Sequence, residues 1–273
     1  LIGAGLSSSA AFETLIGTIL SYMYNGGEVN PIEIAKIGQY AENVYFGKPC
    51  GLMDQMACSV GSLIHIDFAD PENPIVEQLK FDLNTYGYSL CITDTKGTHA
   101  DLTPDYAAIP QEMKKAAECL GKNFLGEVSK EEIINNITQI RDCAGDRAAL
   151  RALHFVCENE RVKEEVDALR KNNFPQFLTK VKESGDSSFK YLQNVYTCHD
   201  VQHQNVSIAL ALSDVIFGEK GVCRVHGGGF AGTIQAFVPN YLVSKYQKEM
   251  DKILGNGSCE VLKIRKYGGI KVL

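Results

Sequence analysis

Apolar residues recur along this chain with helical spacing in some stretches and in short strand-like runs in others, and the changes between the two mark its elements. Ala11, Leu15, Ile16, Ile19, Leu20 and Met23 fall on one helix face, and Asn25-Gly26-Gly27 stops that helix. A second helix is punctuated at its start: Asn30 suits the N-cap, Pro31 the first helical position, and Glu33 a capping-box-like pair. Ile34, Ile37, Ala41 and Val44 form its apolar stripe, expected to be buried, and Gly47 ends it. Gly61-Ser-Leu-Ile-His-Ile-Asp-Phe68 and Tyr88-Ser-Leu-Cys-Ile-Thr-Asp94 read as strands, with Asp70-Pro71-Glu-Asn-Pro74 a loop between pairing elements.

From about Pro110 to Val215 the pattern is mainly helical, and Ser129-Lys-Glu-Glu132 is a capping box opening one of those helices. Val222-Cys-Arg-Val225 and Gly232-Thr-Ile-Gln-Ala-Phe-Val238 read as strands around the Gly227-Gly228-Gly229 loop. A helix from about Asn240 to Leu254 turns Leu242, Val243, Tyr246, Met250 and Ile253 to the core, and the strand Glu260-Val-Leu-Lys-Ile264 closes a β-α-β tail. Helices and strands mix without regular alternation. That predicts an α+β architecture in two parts, residues 1–84 and 85–273, over a doubly wound sheet.

Composition narrows the class. The 273 residues are 45% apolar and 22% charged, ordinary for a globular protein. A net charge of −6 with no basic footprint argues against a nucleic-acid partner. No run approaches the roughly 18 apolar residues of a membrane span, and no signal-peptide pattern is present. The expectation is a cytoplasmic enzyme acting on a small molecule, a monomer or weak homo-oligomer without membrane partners. Nine cysteines are scattered with no C-x-x-C pair. Most sit in apolar runs and read as small buried hydrophobes in a reducing compartment.

Three segments carry candidate chemistry. Gly3-Ala-Gly5-Leu6-Ser7-Ser8-Ser9-Ala10-Ala11 runs straight into the first helix. Glycines let backbone approach a ligand, and free N–H groups at a helix start form an anion site. Serine hydroxyls can hydrogen-bond phosphate or ligate Mg²⁺. A turn with a serine N-cap explains the same string equally well. It is neither a Walker loop, which needs G-x-x-x-x-G-K-[ST], nor a dinucleotide fingerprint, since Ser8 stands where the third glycine belongs. In Cys50-Gly51-Leu52-Met53-Asp54-Gln55 an acid set among Cys, Leu and Met is expected to be poorly solvated. It is either a helix-start Asp or a functional group. Arg224-Val-His226-Gly-Gly-Gly-Phe230-Ala-Gly232 is either a tight connection or a place where backbone meets a ligand.

Taken in order, Gly-Leu-Ser-Ser-Ser-Ala-Ala, Cys-Gly-Leu-Met-Asp-Gln and Gly-Gly-Gly-Phe resemble the galactokinase family, within the superfamily of homoserine, mevalonate and phosphomevalonate kinases. The resemblance spans nearly the whole chain. It implies a first domain like that of ribosomal protein S5, incomplete here, and a ferredoxin-like second domain. It implies ATP and Mg²⁺ as cofactors, and transfer of the γ-phosphate of ATP to the C1 hydroxyl of galactose. Gly3, Gly5, Leu6, Ser7, Ser8 and Ser9 then wrap the ATP phosphates, Ser9 and Glu42 ligate Mg²⁺, and Asp54 is the catalytic aspartate. Gly51, Asp54 and Tyr106 contact the sugar, and Gly227, Gly228 and Gly229 form a supporting loop. Val225-His226 stands where the family has Met-Thr, Ala231 replaces a glycine, and Leu1 stands where a proline is usual. The family's upstream motif, Gly-Arg-Thr-Glu-His and an acidic residue, is not among these residues, so the 273 alone are expected not to phosphorylate a sugar. A non-catalytic sensor of the same fold is the alternative, although sensors lose residues from the Ser/Ala run that is intact here. His199-Asp200-Val201-Gln202-His203 resembles a zinc-binding string and reads as exposed histidines near a helix start.

Overall fold

A computed structural model describes residues 7–48, 50–97 and 102–272. The chain divides into two compact units, Leu1–Asp82 with Lys263–Leu273, and Leu83–Leu262. The expected second part, 85–273, therefore gives up its last residues to the first unit. The reason is a close backbone fit: a Cβ at Gly268 would lie 1.8 Å from the carbonyl oxygen of Ser59. The Ser62 N–H also donates to the Arg265 carbonyl at 2.7 Å.

In the first unit, α1 (Ser8–Tyr24), α2 (Pro31–Tyr40) and α3 (Met53–Val60) pack together beside a two-stranded antiparallel sheet of β1 (Leu63–Asp67) and β2 (Ile75–Leu79). Asn30 caps α2 as its sequence predicts, Oδ1 accepting the Glu33 N–H at 3.0 Å. The apolar stripes behave differently from expectation. On α1 the buried residues are Ala10, Thr14, Thr18 and Ser21, while Leu15, Ile16, Ile19, Leu20 and Met23 are exposed. On α2, Ile34, Ala35 and Gly38 are buried, whereas Ile37, and Val44 in the turn that follows, are exposed. The small faces allow close helix–helix approach, and no element among the described residues covers the larger apolar side.

The second unit holds β3 (Tyr88–Asp94), β4 (Val222–His226), β5 (Thr233–Pro239) and β6 (Cys259–Leu262) in the order β4-β5-β3-β6, every pair antiparallel. The predicted β-α-β tail is present, but β3 lies between its two strands, as in the split β-α-β of a ferredoxin-like sheet. Cys91, Val225, Ile234, Ala236 and Val238 from the strands pack against Val206, Ala209 and Phe217 of α9 (Asn205–Phe217) and Tyr246 and Met250 of α10 (Val243–Leu254). Between β3 and α9 run α4 (Thr103–Cys119), α5 (Lys130–Asn135), α6 (Ile137–Ala144), α7 (Asp146–Arg170) and α8 (Phe174–Ser187). Helical structure thus begins before Pro110, which lies inside α4 and denies the Tyr106 carbonyl its helical partner. Ser129 caps α5 through the Glu132 N–H at 3.1 Å.

Cysteine usage departs from a uniformly reduced set. Cys119 and Cys143 form a disulfide joining α4 to α6 across 24 residues of sequence. Cys91 and Cys259 are the buried free thiols, and Cys198 is exposed. No helix among the described residues is long and apolar enough to cross a membrane.

Candidate active site

The head of α1 collects the chemistry of the first unit. Ser7 occupies its N-cap with φ 48°, and the hydroxyl does not cap the helix as a simple turn-and-cap reading requires. It donates instead to Asp54 Oδ2 at 2.5 Å, across 47 residues of sequence. Within the first turn of the helix, Ser9 Oγ donates to Glu42 Oε1 at 3.0 Å. Ser7, Ser9, Glu42 and Asp54 are thereby brought together. Gly3, Gly5 and Leu6 lie outside the described residues. Ser8 is exposed in the first turn.

Glu42 reaches this point because α2 ends in a π-helical turn, Ala41–Tyr45, which rotates one carboxylate inward. Such turns recur at functional sites because the inserted residue shifts the side-chain register. Glu42 is only 4% exposed. Burial pulls its carboxyl upward, but hydrogen bonds from Lys48, Cys50 and Ser9 outweigh burial and hold it below the usual glutamate range. Lys48 Nζ sits 2.6 Å from Glu42 Oε1, a bond that raises the lysine in turn.

Asp54 corrects the expectation of poor solvation: it lies in the first turn of α3 on the exposed side. The buried polar group of that motif is its neighbour Gln55, 1% exposed. Gln55 Nε2 donates to Glu42 Oε2 at 2.9 Å and to Glu13 Oε2 at 3.2 Å. Asn43 fixes the approach to α3 reciprocally: its Oδ1 accepts the Cys50 N–H at 2.7 Å and its Nδ2 donates to the Cys50 carbonyl at 3.3 Å. Gly51 is exposed, and a Cβ added there would meet nothing within 4 Å. Glu13, Asn43, Lys48 and Gln55 were not singled out from sequence. Glu13 was within reach of such reasoning, since it lies four residues after Ser9 on the same helix face.

Tyr106 and the triple glycine belong to the second unit and form a cluster there. The Tyr106 hydroxyl donates to the Gly229 carbonyl at 2.8 Å, and its ring meets Phe230 edge-on at 5.4 Å. Asn194 clasps the same loop, accepting the Phe230 N–H at 2.5 Å and donating from Nδ2 to the Gly228 carbonyl at 3.2 Å. His226 turns to Gln235 across the β4–β5 pair, 3.2 Å from its Oε1. The His199–His203 string precedes α9 without forming a helix, and His203 pairs with Asp200 at 2.7 Å. Among the described residues no cluster of three or more His, Cys, Asp or Glu side chains could hold a metal. Ser9 and Glu42 are a smaller, all-oxygen donor pair.

Residues 1–62 match the family "GHMP kinases N terminal domain". That match covers the amino-terminal part of the chain. The chain is 32% identical over 247 residues to a galactokinase of Glaesserella parasuis serovar 5, covering 90% of this chain and 61% of that protein. It is 30% identical over 261 residues to a galactokinase of Clostridium tetani, covering 93% and 63%. The chain thus spans about three fifths of the length of the curated relatives it matches. The structure of Lactococcus lactis galactokinase complexed with galactose superimposes with a TM-score of 0.79 at 26% identity, covering 100% of this chain and 69% of that one. L. major mevalonate kinase shares the fold, with a TM-score of 0.58 at 13% identity over 94% of this chain and 65% of that one.

Proposed function

We propose that the protein is an ATP-dependent sugar kinase that phosphorylates galactose at its C1 hydroxyl. The observation that carries this reading is the pairing of Ser9 with Glu42 and of Ser7 with Asp54 at the head of α1. A helix start offers unpaired N–H groups and a positive dipole end to a polyphosphate. Phosphoryl transfer needs placement and neutralised charge more than covalent help, and this site is built of those two things.

The donor chemistry fits Mg²⁺. One carboxylate and one hydroxyl are hard oxygen ligands, and this ion typically takes few protein ligands and fills its shell with water and phosphate oxygens. Ser9 and Glu42 would hold it. When bound, the ion neutralises charge on the transferring phosphoryl group. Asp54 is exposed and therefore open to a substrate hydroxyl. Its carboxylate would orient the C1 hydroxyl and take its proton as the oxygen–phosphorus bond forms, with ADP leaving. Ser7 would then release or share its bond to Oδ2. Tyr106 and Gly51 are assigned to sugar contact, and Gly227, Gly228 and Gly229 to support of the second unit. The galactose assignment rests on the galactokinase relatives and on the galactose named with the L. lactis structure.

The test is Asp54→Ala in the full-length protein, assayed for ADP release with galactose and ATP. Loss of general-base help predicts a fall in kcat of roughly 10²–10⁴-fold with nucleotide affinity retained. A variant keeping more than about a tenth of wild-type kcat would refute the assignment. Wild-type protein that binds both ligands without turnover would point to a sensor instead.

A further inference from the structure

Glu42 has two oxygens with different surroundings. Oε1 accepts from Ser9 and Lys48, whereas Oε2 accepts the Gln55 amide at 2.9 Å. Gln55 is 1% exposed, and its second N–H goes to Glu13 of α1. The amide nitrogen carries two hydrogens and lies nearest the two carboxylates, with Cys50 Sγ a longer third acceptor at 3.5 Å. Gln55 Oε1 is buried with no hydrogen-bond partner. Turning the amide over would aim that oxygen at two carboxylates, so the observed orientation is the one electrostatics permits. Gly38 makes the arrangement sterically feasible, since a Cβ there would stand 3.3 Å from Glu13 Cβ and 3.4 Å from Gln55 Cγ.

We propose that Gln55 is a positioning residue for the cation-binding carboxylate and that Glu13 is its anchor. A free glutamate rotates, and a ligand that rotates loses entropy on binding. Gln55 pins Oε2 from the buried side and leaves Oε1 aimed at the Ser9 hydroxyl. It also separates two carboxylates with a neutral donor, which limits their mutual repulsion, while the Lys48 ammonium stays on Oε1. Glu13 stops the amide from turning. This inference rests on the reading of Ser9 and Glu42 as the Mg²⁺ ligands.

Mn²⁺ binding to the full-length protein, followed by electron paramagnetic resonance with a non-hydrolysable ATP analogue, tests the idea without turnover. Outer partners of metal ligands are typically worth about 10–100-fold in affinity, so Gln55→Met should weaken Mn²⁺ by that factor. Glu13→Leu should weaken it by about tenfold, whereas Glu13→Gln, whose carbonyl still accepts the Gln55 N–H, should stay within about threefold of wild type. Circular dichroism confirms folding, and if Gln55→Met does not fold, the Glu13 pair decides. Glu42→Gln weakening Mn²⁺ while Gln55→Met and Glu13→Leu do not would overturn the positioning role alone. Unchanged binding in Glu42→Gln would overturn the ligand assignment and the positioning role with it.

Discussion

Gly229→Ala puts the second-unit loop to a quantitative test. Gly229 has φ +83°, and a Cβ there would lie 1.9 Å from the backbone oxygen of Asn194. That oxygen accepts the Phe230 N–H, and the Asn194 side chain holds the Gly228 carbonyl, so Asn194 cannot withdraw without opening the clasp. A left-handed alanine costs about 1–2 kcal/mol, and the two clasp bonds contribute about 1 kcal/mol each. The variant should lose roughly 3–4 kcal/mol, which for a unit of this size lowers Tm by about 10 °C. The neighbours calibrate the estimate. Gly227 has φ +71° with nothing within 4 Å of a Cβ, so Gly227→Ala should show only the backbone term, about 1–2 kcal/mol. Gly228 has no such φ, and its Cβ would meet Tyr106 Cε1 at 2.9 Å. Gly228→Ala should shift a ring and cost about 1–2 kcal/mol. Differential scanning calorimetry on the three variants gives the order. A Gly229→Ala protein melting within about 3 °C of wild type, or no lower than Gly227→Ala, would show the clasp to be unimportant.

Gly268→Ala should detach the Lys263–Val272 tail from α3, because its Cβ would collide with Ser59 backbone, and hydrogen exchange should rise in both segments while β3–β6 stay protected. Reducing Cys119–Cys143 should lower stability by about 3 kcal/mol on loop-entropy grounds, read as a Tm fall in dithiothreitol that a Cys119→Ser/Cys143→Ser variant no longer shows. Burial holds His154 near a pKa of about 4, beside Glu158, Arg161, Arg224 and Ser187. It stays neutral in the fold while the unfolded chain binds a proton, so stability is lost as pH falls from 6.5 toward about 4, and His154→Gln should flatten that loss in urea unfolding. Burial pushes Glu165 up to about 7 against Glu158 and Glu183, with Arg161 and Arg224 opposing, so its contribution is present below 4.5 and fades as pH rises through about 7. Glu165→Gln should remove that second slope.

The order of elements and several caps were legible because they depend on neighbours in sequence. Asn30, Pro31 and Glu33 fix the start of α2, and Ser129 the start of α5, through contacts within one turn. The parallel relation of β5 and β6 through β3 was not, because β3 enters the tail from more than a hundred residues upstream. The disulfide was invisible for the same reason: neither cysteine has a close sequence partner. At the candidate site, the named serines and acids were readable as residue types, but their pairing depends on a π-helical turn that no local pattern announced. Asp54 was misjudged because its neighbours in sequence, Leu52 and Met56, are buried while the aspartate itself points outward.

The buried face of α1 explains why hydrophobic periodicity failed where the chemistry is densest. Ala10, Thr14, Thr18 and Ser21 are poor markers of a core, since two are threonines and one a serine. Yet Thr14 Oγ1 donates to the Ala10 carbonyl and Thr18 Oγ1 to the Thr14 carbonyl, both at 2.8 Å, so these hydroxyls are satisfied by their own helix and add no buried demand. What remains is a narrow face of methyl groups and small side chains. A wide apolar face would have held α2 and α3 further off, whereas Ser9, Glu42 and Asp54 carry short or medium side chains that reach one another only if the backbones are close. The same closeness appears where Gly38 leaves room for Glu13 and Gln55. Small residues in α1 and α2 are therefore a condition of the site's geometry. In this unit the larger apolar residues face away from the helix–helix contacts, and Phe12, Ile16, Leu20 and Ile37 line a groove shared with Ser9, Glu42 and Lys48.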